Sequence, residues 1–177
     1  METKNLTAVE IAEKIIAGER LQSTDDLKFL LETPLEELQE GASLIQKKFC
    51  GNHIDFCTII NGKSGRCGED CKYCAQSAKH KTGIDEYKFL PTQEILAVAK
   101  MNEKAGVNRF SIVTSGRALT GADFEKALEA YKILRENLKI ELCASHGILT
   151  AEQFKKLRAT GVTSYHHNIE TSRRFFP

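Results

Sequence analysis

Hydrophobic positions along the first third of the chain recur at helical spacing. Val9 begins an apolar pattern that ends at Gly18, Ser23 stands as a cap before a second pattern, and Pro34 begins a third that runs to Phe49. We predict three short helices in this region. Residues 1–50 are therefore assigned to an N-terminal helical extension.

From about residue 54 the pattern changes to short apolar runs that alternate with amphipathic segments. It predicts strands at 54–60, 109–113, 140–144 and 162–169, and helices at 92–105, 124–134 and 151–159. Such alternation indicates right-handed βαβ units and a parallel sheet. The spacing fits half of a (β/α)8 barrel, a fold that typically takes about 250 residues. We predict an α/β fold with a partial (β/α) barrel over residues 51–177.

The loop after the first predicted strand carries Cys67, Cys71 and Cys74, in the spacing C-x3-C-x2-C. Thiolates prefer soft metals, so zinc and an iron-sulfur cluster are both candidates. Structural zinc wants four ligands, commonly as two close pairs, and His80 is near enough in sequence to be the fourth. Three thiolates can instead hold three corners of a cubic cluster and leave one iron open. We favour the cluster, with zinc as the alternative.

Composition narrows the classes of partner. The chain has 177 residues, 41% hydrophobic and 28% charged, and a net charge of +1 without a basic block, so we expect no nucleic acid or membrane partner. No basic segment followed by an apolar run opens the sequence, and no stretch approaches the roughly 18 apolar residues of a membrane span. We expect a cytoplasmic protein, in which six cysteines favour metal or redox chemistry over disulfides.

The cysteine motif, with Tyr73 directly before its last cysteine, resembles the signature of radical S-adenosylmethionine enzymes. In that family the open iron is chelated by the methionyl amino and carboxylate groups, and the reduced cluster cleaves S-adenosylmethionine to a 5'-deoxyadenosyl radical. The segments 57–66, 75–78 and 165–172 resemble the biotin synthases, and the match runs from about residue 40 to the end. The resemblance implies a radical S-adenosylmethionine barrel of which about the first half is present.

Biotin synthases insert sulfur between two unactivated carbons of dethiobiotin. The resemblance therefore implies a sulfur-transferring enzyme with a [4Fe-4S] cluster and S-adenosyl-L-methionine as cofactors, and with dethiobiotin as substrate. It further implies an electron donor such as flavodoxin or ferredoxin, and a homodimer when the protein is full length. Because the full barrel is longer, we expect this chain to be C-terminally incomplete.

The resemblance also implies roles for individual residues. Cys67, Cys71 and Cys74 would hold the [4Fe-4S] cluster, and Tyr73 would lie near the adenine of S-adenosylmethionine. The residues that match Asn168 and Glu170 reach the nucleoside ribose and the ureido ring of dethiobiotin. These two residues are two apart on the last predicted strand, so we expect their side chains on the same side. The segment 114–116 ends the second predicted strand and could receive the methionyl group.

Most biotin synthases carry a second, sacrificial [2Fe-2S] cluster, bound by three cysteines and an arginine. Cys143 matches one of these ligands, Ser111 fills the position of another, and the remaining two would lie after Pro177. A hydroxyl is a harder and far less acidic ligand than a thiol, so we expect Ser111 to hold iron poorly. Another sulfur-donating cluster, with Cys57 or Cys50 as a contributor, is one alternative. A related radical enzyme without this donor and a non-catalytic metal-binding module are the others.

Overall fold

The structure is a computed structural model that describes residues 6–175. Residues 1–5 and 176–177 lie outside it, and they include Pro177, at which the predicted partial barrel ends. The chain divides into two compact units between Ile54 and Asp55, and each unit is described by itself. Along residues 6–175, no helix combines the length and the apolar character needed to cross a membrane.

The first unit contains three helices, as the sequence predicts: α1 (Ala8–Ile16), α2 (Thr24–Glu32) and α3 (Leu35–Cys50). Thr7 and Ser23 each form a capping box, in which the side chain of the cap accepts a backbone hydrogen bond from the first helical turn. Helix α1 packs against α3 at Gly41, where a Cβ would lie 2.7 Å from the carbonyl oxygen of Ala8. The small residue therefore permits the close approach of the two helices.

The second unit is a four-stranded sheet whose strands alternate with helices. Its strands are β1 (Cys57–Lys63), β2 (Arg109–Thr114), β3 (Glu141–Ser145) and β4 (Val162–Tyr165), and its helices are α4 (Thr92–Lys104), α5 (Gly121–Asn137) and α6 (Ala151–Ala159). The strands lie in the order β1-β2-β3-β4, and every neighbouring pair is parallel. This arrangement confirms the predicted parallel α/β fold.

The bounds of the first and last strands differ from the prediction. Strand β1 begins three residues later than predicted, because its pairing with β2 begins where Cys57 faces Arg109. It also extends through Gly62, where a Cβ would lie 2.7 Å from the side chain of Ile112. Strand β4 ends at Tyr165 rather than at residue 169, because its partner β3 ends at Ser145 and offers no further backbone to pair with.

The sheet buries one face and leaves the other partly open. Phe110, Ile112 and Leu142 are fully buried beneath the helices, together with Ile95 from α4 and Leu134 from α5. The opposite face presents side chains that the pleat places beside one another across the strands, namely Ile59, Ser111, Cys143 and Ser164. The predicted cysteine loop leaves the sheet at the carboxyl end of β1.

Candidate functional site

Backbone hydrogen bonds tie the cysteine loop down at both ends. Ser64 and Tyr87 exchange backbone hydrogen bonds of 3.1 and 3.2 Å, which close the loop where it leaves β1. Inside this closure, the amide of Cys67 donates to the carbonyl oxygen of Gln76 at 2.9 Å, and the amide of Ala78 donates to the carbonyl oxygen of Cys67 at 2.8 Å. The first cysteine is therefore held by its own backbone, although the loop has no regular helix or strand.

The three loop cysteines carry free, half-buried thiols. The amide of Cys74 donates to the carbonyl oxygen of Cys71 at 2.9 Å, so these two residues share one turn. Burial raises the pKa of the Cys71 thiol, and the nearby Cys74, Glu170 and Cys67 raise it further. The surroundings of Cys71 therefore disfavour its thiolate, which a bound metal would stabilise.

The donor set of this loop fits an iron-sulfur cluster. Three soft thiols stand free on one anchored loop, and thiolates of this kind are the usual ligands of such clusters. Across residues 6–175, no three His, Cys, Asp or Glu side chains are arranged to hold a single metal ion. A cluster distributes its protein ligands over separate irons, and the loop offers one cysteine for each of three irons.

The structure brings Glu170 close to Tyr73, which is part of the cysteine loop. Tyr73 is 70% exposed, and its hydroxyl lies 3.5 Å from the backbone carbonyl oxygen of Glu170, a long contact. Asn168 accepts a hydrogen bond from Nε2 of His166 at 2.7 Å. Asn168 and Glu170 lie beyond the end of β4, so the expectation that strand alternation places them on one side is wrong. Glu170 instead has a left-handed backbone, with φ of 60°.

The carboxyl end of β2 is fastened to the base of the cysteine loop. Ser115 donates its hydroxyl hydrogen to the carbonyl oxygen of Gly65 at 2.7 Å, and its amide donates to the carbonyl oxygen of Lys63 at 3.0 Å. The Lys63 ammonium lies 2.9 Å from an Asp123 carboxylate oxygen and holds the pKa of that carboxyl below its usual range. The segment 114–116 therefore lies at the base of the loop, where the sequence analysis expected a ligand-binding turn.

Ser111 and Cys143 face each other across β2 and β3. They are register partners on the partly open face of the sheet, and each is about 8% exposed. Cys57 lies on the same face, two residues before Ile59 in β1 and beside Arg109 of β2. Cys50 belongs to α3 of the first unit. Of the ligand set that the resemblance implies for a [2Fe-2S] cluster, the described residues supply one thiol here. At the other matched position Ser111 supplies a hydroxyl, which is a poor ligand for iron.

A buried chain of hydrogen bonds at the same end of the sheet escaped the sequence analysis. Tyr131 donates its hydroxyl hydrogen to the carbonyl oxygen of Cys143 at 3.2 Å. The Tyr131 hydroxyl oxygen in turn accepts a hydrogen bond from Nε2 of His146 at 2.9 Å. Nδ1 of His146 then accepts from the hydroxyl of Thr114 at 3.0 Å. Burial lowers the pKa of His146 to about 4. A lone histidine after a predicted strand carries no sequence signal that would have revealed this network.

The loops that follow β2 and β3 are joined by their backbones. The amide of Leu119 donates to the carbonyl oxygen of His146 at 2.9 Å, and the amide of Ile148 donates to the carbonyl oxygen of Arg117 at 2.8 Å. Between them, Gly147 has φ of 75°, and a Cβ at this position would overlap the Arg117 carbonyl group. A side chain at residue 147 would therefore separate the two loops.

The chain is similar to known proteins over nearly its whole length. The model of the radical SAM superfamily matches residues 63–176. The biotin synthase of Clostridium beijerinckii is 55% identical over 167 residues, which are 94% of this chain and 53% of that protein. The biotin synthase of Alkaliphilus metalliredigens is 51% identical over 168 residues, with 95% and 53% coverage. The chain thus spans about half the length of the curated relatives it matches.

A solved structure supports the fold. HydG, a maturase of the [FeFe]-hydrogenase, matches with a TM-score of 0.71 over 93% of this chain and 37% of its own. Its sequence identity to this chain is 21%, so the likeness concerns the fold alone. Together with the superfamily match, it confirms the predicted partial barrel of the radical S-adenosylmethionine type.

Proposed function

Because the chain belongs to the radical SAM superfamily, we propose that it carries the radical-generating half of a biotin synthase, an enzyme that transfers sulfur to dethiobiotin. The observation that carries the proposal is the anchored loop with three free thiols, which itself carries Tyr73 and which Glu170 approaches from outside the loop. Two relatives that match nearly the whole chain at 51% identity or more are named biotin synthases.

Membership of the superfamily supports a [4Fe-4S] cluster and S-adenosyl-L-methionine as the cofactors. Cys67, Cys71 and Cys74 would hold the cluster through their thiolates. When bound, it supplies the one-electron reductive cleavage of S-adenosylmethionine, a chemistry that side chains do not provide. The protein must release the thiol protons when the cluster binds. Burial at Cys71 makes that release unfavourable until the metal compensates for it.

Three side chains would position the nucleoside and the substrate. The exposed ring of Tyr73 offers a face on which adenine can stack. The Glu170 carboxylate can accept hydrogen bonds from ribose hydroxyls, and the Asn168 amide can both donate to and accept from the ureido ring of dethiobiotin. An unactivated C–H bond offers no proton that a general base could remove at neutral pH. These side chains therefore bind and orient, and we assign no proton transfer to them.

A second candidate function rests on Ser111. Its hydroxyl lies beside Cys143 where the resemblance implies two thiols, and this pair favours a related radical enzyme that lacks the usual [2Fe-2S] sulfur donor. A flavodoxin or ferredoxin as electron donor and a homodimer complete the proposal and follow from the family resemblance. A cytoplasmic location follows from the features of the sequence given above.

Anaerobic reconstitution tests the proposal. The protein is loaded with iron and sulfide, reduced, and incubated with S-adenosylmethionine and dethiobiotin, and products are measured by mass spectrometry. We expect about four irons per chain, a reduced paramagnetic signal that changes with S-adenosylmethionine, and 5'-deoxyadenosine from this chain. Biotin is expected only when the sulfur-donating half is also present.

Other results would separate the alternatives. Formation of 5'-deoxyadenosine without biotin by the full-length protein would favour the related enzyme, and bound iron with neither product would favour a non-catalytic module. Cys71→Ala should lose the cluster, whereas Cys50→Ala, which removes an exposed thiol of α3, should keep it. Stoichiometric zinc without iron would overturn the cluster assignment.

A further inference from the structure

His80 bridges the two ends of the turn that carries Cys71. Its Nδ1 lies 3.1 Å from the backbone carbonyl oxygen of Cys74, and its Nε2 lies 3.2 Å from a carboxylate oxygen of Asp70. The His80 side chain is 23% exposed, so the ring packs into the loop. A carbonyl oxygen only accepts, so Nδ1 carries a hydrogen and donates it to Cys74.

We propose that His80 is a positioning residue that holds Cys71 and Cys74 in place for the cluster. The imidazole closes the loop from outside, because it binds the residue before Cys71 on one side and the last cysteine on the other. This inference rests on the proposed cluster site and deepens it. It assigns His80 to the folding of the ligand loop, without contact to the substrate.

The backbone before His80 supports the same loop. Ser77 is buried and donates its hydroxyl hydrogen to the carbonyl oxygen of Glu69 at 2.7 Å. The amide of His80 in turn donates to the carbonyl oxygen of Ser77 at 3.2 Å. Residues 77–80 thus hold the loop at Glu69, at Asp70 and at Cys74. A ring fixed by its own backbone loses little freedom when it binds the loop, which is the condition for effective preorganisation.

The turn from Asp70 to Cys74 needs this support because it has few contacts of its own. Between Cys71 and Cys74 it has one backbone hydrogen bond, and the Cys74 carbonyl oxygen accepts a long one of 3.4 Å from the amide of Ser77. Asp70 has in addition the Lys72 ammonium at 2.8 Å, and the Lys72 side chain is 84% exposed. Ordering an irregular segment costs conformational entropy for each residue. Without His80, that ordering would have to accompany cluster binding and would weaken the cluster's hold.

The same contacts argue against His80 as a metal ligand. Nδ1 donates to the Cys74 carbonyl oxygen, Nε2 faces the Asp70 carboxylate, and no three His, Cys, Asp or Glu side chains among residues 6–175 are arranged to hold a single metal ion. The zinc alternative given in the sequence analysis needs a ring nitrogen of His80 as the fourth ligand. With His80 engaged in this way, the loop offers three ligands.

Two substitutions at one position test the role of His80. His80→Phe keeps an aromatic ring of similar size and removes both polar contacts. His80→Gln restores one donor that can reach the Cys74 carbonyl oxygen. The matched control is His53→Phe, since His53 is exposed in the first unit. Two rates are measured anaerobically for each variant: alkylation of Cys71 and Cys74 by iodoacetamide in the reduced, iron-free protein, and release of iron to a chelator after reconstitution.

For His80→Phe we expect both rates to rise about three- to tenfold, the size that the loss of a hydrogen bond predicts. His80→Gln should fall between His80→Phe and the unchanged protein, and His53→Phe should match the unchanged protein. Alkylation of the buried Cys143 checks the fold, since it should stay slow in every variant that remains folded.

Unchanged rates in His80→Phe would overturn the inference. Equal rates in His80→Phe and His80→Gln would do the same, because the contact to Cys74 would then not be what holds the loop. Failure of the proposed function looks different, since the unchanged protein would then bind no iron or, with iron bound, would form no 5'-deoxyadenosine. The alkylation rates in the iron-free protein would still report on His80 in that case.

Discussion

Acidification should destabilise the second unit through His146. This side chain is fully buried between Thr114 and Tyr131, and burial lowers its pKa from 6.5 to about 4. The unfolded chain therefore binds a proton near the ordinary histidine pKa, while the folded chain binds it only near pH 4. Stability is fully present above about pH 6.5 and is lost as the pH falls towards the folded pKa.

The expected loss can be worked out from the two pKa values. Proton linkage with values of 6.5 and about 4 predicts that the free energy of unfolding falls by about 2 kcal/mol between about pH 7.5 and about pH 5. In a urea titration this corresponds to a midpoint shift on the order of 1 M. The carboxyl groups of Asp70 and Asp123 have pKa values below their ordinary range, so they titrate at lower pH than this window.

Tyrosine fluorescence provides an assay that reports on the second unit. The chain has four tyrosines and no tryptophan, and all four tyrosines follow residue 55. Urea titrations of the reduced, metal-free protein would be run at several pH values for the unchanged chain and for His146→Gln. The glutamine variant should be less stable at about pH 7.5, by about 1–3 kcal/mol, and should show almost no pH dependence in this window.

A variant at an exposed histidine serves as the control. His53→Gln removes an exposed histidine and should keep the full pH dependence. If the unchanged protein and His146→Gln lost stability in parallel, burial would not be what keeps His146 neutral, and the reasoning would fail.

Three further predictions use the same urea titration. Gly147 and Gly106 both have positive φ, but only a Cβ at 147 would overlap a neighbouring backbone; Gly106→Ala should cost about 1 kcal/mol and Gly147→Ala at least about 2 kcal/mol more. Lys63→Met should cost about 1 kcal/mol at neutral pH, because Asp123 loses the cation that lowers its pKa. The deficit should shrink as the pH falls below the ordinary aspartate pKa and vanish below the lowered folded pKa. Burial raises the pKa of Tyr165 to about 12, so stability present below pH 10 should be lost as the pH rises towards 12, and Tyr165→Phe should abolish that part of the loss.

The order of elements could be predicted because its signals are local. Apolar periodicity and the caps at Ser23 and Thr150 depend on neighbouring residues, and the structure has the predicted helices with bounds that differ by at most three residues. Strand ends depend on a partner strand instead. That is why the apolar Ile54 suggested a strand that begins at Cys57, and why the predicted last strand ran past the end of β3.

The site could be predicted in its chemistry but not in its support. The spacing of the loop cysteines predicts thiolate ligation, since the donor type is written in the residues themselves. The contacts of His80 and His146 depend on backbone carbonyls and hydroxyls that folding brings near. No periodicity marks a histidine whose partners are distant in sequence. Glu170 is a mixed case, because its position near Cys71 does not come from the strand alternation that the sequence analysis invoked.

The joined loops after β2 and β3 set a limit on how this unit can be re-engineered. Because Leu119 and Ile148 donate hydrogen bonds across the junction, neither loop keeps its conformation when the other is replaced. A graft that exchanged one loop for that of another barrel would leave backbone donors and acceptors of the neighbouring loop without hydrogen-bond partners. The two loops are therefore one transplantable module, and insertions are better placed in the open turn at Gly83, where a side chain would meet nothing within 4 Å.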